Sequence, residues 1–87
     1  MQLKILDPKQ YGLPARTILE QIDEQTIAIV INRTSRIIMA DGIKLLERVN
    51  KVEAITPSTT IILKTNAPVC SKTMRFLEEA GIKIDRL

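Results

Sequence analysis

The chain has 87 residues, 45% of them hydrophobic and 26% charged, which is too apolar for disorder and ordinary for a globular fold. One cysteine excludes an internal disulfide framework, the lack of histidine excludes the usual serine or cysteine triad, and too few soft ligands exist for zinc or iron–sulfur sites. The formal charge of +3 favours anionic partners weakly. With no basic stripe, and Tyr11 and Phe76 as the only aromatics, the composition argues against a nucleic-acid partner. No stretch approaches the ~18 apolar residues of a membrane helix and no secretory leader pattern opens the chain. A single cytoplasmic α/β domain over 1–87, without membrane contact, is the expectation.

Residues 2–6 are short and apolar, stop at Asp7-Pro8, and predict a first strand. A loop follows over 9–13. Pro14 suits a first helical turn, and Ile18, Leu19 and Ile22 fall at helical spacing opposite Glu20, Gln21 and Asp23, which predicts a helix over 14–25. The run 26–31 is nearly all β-branched and continuously apolar, as in a strand covered on both faces of a parallel sheet. Residues 32–35 form a turn with two candidate helix caps. From 36 to 53, Ile38, Leu45, Val49 and Val52 line one face of a helix that Asp41-Gly42 weakens. The alternative pairs 26–32 with 36–40 as a hairpin and starts the helix after Gly42. Residues 59–65 predict a second buried strand and 66–69 a turn. Cys70 or Ser71 opens a helix to Ala80, Gly81 stands at its C′ position, and 82–85 alternate as an edge strand. The resulting β-α-β-α-β-α-β order predicts a small two- or three-layer α/β fold on a mostly parallel, four-stranded sheet.

In open α/β sheets ligands bind beyond the carboxyl ends of the strands, which selects the turns at 32–36 and 66–72. Each leads into a helix N-terminus, where free N–H groups and the helix dipole favour negative charge. Arg33, Arg36, Lys72 and Arg75 bring cations there, and Ser35, Ser71 and Thr73 bring hydroxyls. The expectation is an anion-binding pocket with Cys70 as its nucleophile. A helix start and nearby cations lower a thiol pKa from its usual ~8.5, although a free cysteine is also commonly a small buried apolar residue.

The run Ile61 through Thr73 carries P-x-C-S-K-[ST] at Pro68 to Thr73, and the helix after it ends in Leu77-Glu78-Glu79-Ala80-Gly81-Ile82. This resembles the strand–loop–helix–strand unit that opens the arsenate reductase and Spx branch of the thioredoxin-like proteins. The resemblance spans residues 61–87. It implies that Cys70 is a redox nucleophile and that Ser71, Lys72 and Thr73 shape its loop.

A lone cysteine requires any disulfide to form with a partner or a small thiol. No metal and no cofactor is expected. The composition fits a non-catalytic interaction or accessory domain of a larger assembly, held by a protein partner or a second copy. The alternative is a thiol-dependent redox or oxyanion-handling protein that uses Cys70.

Overall fold

The computed structural model describes residues 4–87. The β-branched run Thr26–Ile31 forms β3, the middle strand of a five-stranded sheet. On one side of it lie β2 (Ile18–Asp23) and, outermost, β1 (Lys4–Leu6); on the other lie β4 (Thr60–Thr65) and β5 (Lys83–Arg86). The β1/β2 and β2/β3 pairings are antiparallel, whereas β3/β4 and β4/β5 are parallel. Helix α1 (Met39–Ile55) connects β3 to β4, and α2 (Ser71–Glu79) connects β4 to β5. Both crossovers step in the same direction along the sheet, and the right-handed rule for such connections puts both helices on one face. The fold has two layers.

The predicted four-stranded, mostly parallel sheet is therefore corrected to a mixed sheet of five strands. The largest difference is at 14–25, which was expected to be a helix. Pro14 instead holds a turn, with the Thr17 N–H donating to its carbonyl at 2.9 Å, and β2 folds onto β3 through the short Glu24-Gln25 turn. The Asp23 carboxylate accepts from the Gln25 N–H at 2.8 Å and fixes that turn. Six residues are too few to separate a period of 3.6 from one of 2. Pairing with β3 decides the matter: Leu19 sits opposite Ile29 and is fully buried, while Glu20 takes the other face. Of the strand expected over 2–6, Lys4–Leu6 pairs with β2 and the first two residues lie outside the described region.

Of the two forms expected after β3, the long helix through Asp41-Gly42 is the one present, beginning three residues later than expected. Ile37 makes one parallel bridge to Val69, and α1 begins at Met39, before Gly42. Gly42 is buried because α1 runs against α2 there. A Cβ at that position would stand 2.8 Å from the Thr73 γ-methyl. The helix keeps its weak residue because nothing larger fits.

The apolar core lies between sheet and helices, with Leu19, Ile29 and Leu63 meeting Leu45, Val49 and Leu77. Among the described residues, no helix covers the opposite face of the sheet. Ala28 and Ile62 are nonetheless buried there, beneath an ion pair between Glu20 of β2 and Lys64 of β4, 3.5 Å apart across β3. The continuous apolar run thus reflects small and shielded residues on that face rather than a second helical layer. The α2 and β5 elements follow the sequence expectation closely, with Gly81 at φ +80° just past the helix end.

Candidate functional site

The two turns selected from the sequence do lie side by side. The Ile37 N–H donates to the Pro68 carbonyl at 2.8 Å, and the Cys70 N–H donates to the Ile37 carbonyl at 3.0 Å. Asn66 links them further, accepting from the Arg33 N–H at 2.9 Å and donating to the Asn32 side chain at 2.7 Å. The buried Thr65 hydroxyl donates to the Ile31 carbonyl at 2.6 Å and accepts from the Ala67 N–H at 3.0 Å.

Their side chains do not assemble the anion pocket. The Arg33 guanidinium folds over its own turn, donating to the carbonyls of Ser35 at 3.2 Å and Arg36 at 3.1 Å, and to the Asp41 carboxylate at 2.7 Å. Asp41 also accepts from the Ile38 N–H at 3.0 Å, so it caps the start of α1. That backbone donor, followed by Arg33, holds the Asp41 carboxyl below the ordinary aspartate value. A carboxylate in reach is a better partner for Arg33 than a thiol further along the edge. Ser71, Lys72 and Arg75 are exposed on α2, and Ser35 and Arg36 are exposed in the first turn. The expected anion-binding cluster is thereby corrected to a structural turn and a solvated helix face.

Cys70 is the N-cap of α2 and is half-buried. The backbone N–H groups of Thr73 and Lys72 favour its thiolate, and Arg36 adds a smaller attraction, so its pKa is lowered from the usual thiol value. Of the residues expected around it, Thr73 and Lys72 act through their backbone N–H groups and Arg36 through its charge, while Arg33 is held by Asp41.

A second concavity was not foreseen. It is a cleft of about 330 Å³ at the corner where β2 begins and β3 ends, roofed by α1. Ile29 and Leu45 line its apolar base, and Arg16, Arg33, Lys44 and Arg48 surround it. Its one carboxylate, Asp41, is already paired with Arg33. Among the described residues, Arg16, Lys44 and Arg48 make no ion pair, so the cleft is strongly cationic. Thr17 also lines it and is only 8% exposed, with a buried hydroxyl that has no protein partner. The spacing of residues 41, 44 and 48 puts them on one stripe of a helix, a signal available in the sequence. Arg16 and Thr17 carried no such signal, because only the β2–β3 hairpin brings them to α1.

No family model matches the chain, and no curated protein matches it. Among solved structures, EndoMS in its apo form, a DNA mismatch endonuclease, has a similar fold at a TM-score of 0.68. The likeness covers 98% of this chain but 36% of EndoMS, at 17% sequence identity. The resemblance to arsenate reductase and Spx proteins is corrected accordingly. The strand–turn–helix at 61–79 is a local likeness, and the sheet it completes, with its antiparallel β1-β2-β3 half, is not a thioredoxin-like one. The expectation against a nucleic-acid partner rested on the lack of a basic stripe, and it is corrected on that point: tertiary packing gathers a basic surface that the linear sequence does not show.

Proposed function

We propose that this chain is a cytoplasmic, non-catalytic accessory domain that contacts nucleic acid through the cleft between α1 and the β2–β3 corner. The observation that carries this reading is the convergence of Arg16, Lys44 and Arg48 on one concave surface, with Arg33 already neutralised by Asp41. Cations so placed replace the counterions of a phosphate backbone, the main source of affinity in such contacts. The fold shared with EndoMS supports the partner class. Cleavage is not part of the proposal: metal-assisted hydrolysis of phosphodiesters needs several oxygen ligands around the ion, and the cleft offers one committed carboxylate. Among the described residues, no group of three or more Asp, Glu, Cys or His side chains could hold a metal ion. No helix among them is long and apolar enough to cross a membrane.

Fluorescence anisotropy with labelled oligonucleotides at low salt tests the proposal. Dissociation constants of order 10⁻⁶–10⁻⁴ M, weakening as salt rises, are expected for such non-specific contact. Changing Arg16, Lys44 and Arg48 together to Glu should abolish binding while the far-ultraviolet circular dichroism is preserved. Absence of binding by the unmodified protein at low salt refutes the proposal.

A second reading rests on Cys70, a half-buried residue at the N-cap of α2 whose thiolate is favoured by the N–H groups of that helix start. Its thiolate would attack one sulfur of a partner disulfide, forming a mixed disulfide and releasing the other sulfur as a thiolate.

A further inference from the structure

We infer that two copies of this chain pair edge to edge through β5, in one antiparallel register centred on Ile84. The inference stands apart from the nucleic-acid reading and does not depend on it.

The backbone limits the register first. β5 ends the sheet, and among the described residues nothing pairs with its outer side. The Leu87 N–H donates to the Thr65 carbonyl at 3.3 Å, so by the alternation of a strand Lys83 and Asp85 also turn their backbone groups toward β4. Ile84 and Arg86 therefore turn theirs outward, and a free edge of this kind is a template for another strand. Two identical edges related by a two-fold axis run antiparallel, and residues opposite each other in such a ladder turn their backbone groups the same way. The register must then place one residue opposite its own copy. With Ile84 at that point, its N–H and carbonyl exchange both hydrogen bonds with Ile84 of the second copy.

The side chains select the same register. Lys83 and Asp85 flank Ile84 on the sheet face away from the helices, with side chains 73% and 43% exposed. Centring on Ile84 sets each Lys83 opposite the Asp85 of the second copy, at a non-hydrogen-bonded position where side chains come closest. Centring on Lys83, Asp85 or Arg86 sets that charge against itself. A lysine on an edge ordinarily blocks strand addition; here the aspartate two residues along makes the edge complementary to its own copy. On the helix side, the half-buried Ile84 borders a recess of about 290 Å³ lined by Val69, Met74, Glu78 and Arg86. Met74 is 37% exposed there. The second copy would cover this apolar strip with its own Ile84, and its Arg86, opposite Ile82, would arrive at the end of the edge where Glu78 stands. The product is one continuous sheet with the helices of both copies on the same face.

Sedimentation velocity of the full chain at low salt, from about 5 to about 500 μM, tests the inference. A four-residue edge is a small interface, so a dimer with a dissociation constant of order 10⁻⁵–10⁻⁴ M is expected, weaker at high salt. Asp85→Lys and Lys83→Asp each oppose like charges across the axis, and each should weaken self-association at least about tenfold with unchanged far-ultraviolet circular dichroism. An equimolar mixture of the two variants restores both ion pairs and should sediment as a dimer. A monomer at every concentration of the unmodified protein overturns the inference. So does a dimer that survives both single variants, or a mixture that stays as monomeric as its components.

Discussion

Replacing Gly42 by alanine sets two known effects against each other. Alanine in a helix interior is favoured over glycine by about 1 kcal/mol. At Gly42, however, the new methyl would stand 2.8 Å from the Thr73 γ-methyl, a separation that requires something to shift. Thr73 is fully buried in α2, so it has no free direction in which to yield. Overpacking of this kind costs about 1–3 kcal/mol, and the net expectation for Gly42→Ala is a loss of about 1 kcal/mol, or a fall of roughly 4–8 °C in melting temperature. Thr73→Ser removes the opposing methyl at a cost of about 1 kcal/mol, comparable to deleting one buried methyl elsewhere. In that background Gly42→Ala should become stabilising, by about 1 kcal/mol, because only the helix propensity remains. Urea denaturation of the four proteins in the cycle measures the coupling directly. If Gly42→Ala stabilises the unmodified protein, or if its effect has the same sign in both backgrounds, the close approach of α1 and α2 does not explain this glycine.

Asp41→Ala removes the cap on the Ile38 N–H and the ion pair with Arg33, for an expected loss of about 2 kcal/mol at neutral pH. Because the Asp41 pKa is lowered in the folded protein, its contribution is complete above the unfolded aspartate value and is lost as pH falls through the folded one. The gap in melting temperature between the two proteins should therefore narrow as pH falls below the ordinary aspartate range, and a gap independent of pH would refute the assignment. The same substitution frees Arg33 beside the cleft and should tighten oligonucleotide binding at low salt, as read by anisotropy. For Cys70, the pH midpoint of alkylation by a small reagent should lie below the ordinary thiol value of about 8.5. A midpoint at or above the ordinary value ends the thiol reading.

Local signals carried part of this protein. Pro68, the Cys70-Ser71 helix start, the apolar Leu77, and Gly81 at its left-handed turn specify α2 and its boundaries within about a dozen residues, whereas Met74, expected on the same apolar face, is exposed and Thr73 is buried instead. The strands at 26–31 and 60–65 were equally legible, because consecutive β-branched residues have few other uses. Segment 18–23 was not, since its apolar spacing suits either a helix or a strand, and the partner that settles it, β3, is reached only through the Glu24-Gln25 turn. That one hairpin changes the sheet from parallel to mixed. It also brings Arg16 and Thr17 to the stripe of Asp41, Lys44 and Arg48, residues separated by more than twenty positions in the chain. Charge acts through space, so a basic surface built from distant segments leaves no run in the sequence. Arg33 illustrates the converse: its position beside a helix start was readable, but its occupation by Asp41 depends on the two side chains meeting across the turn.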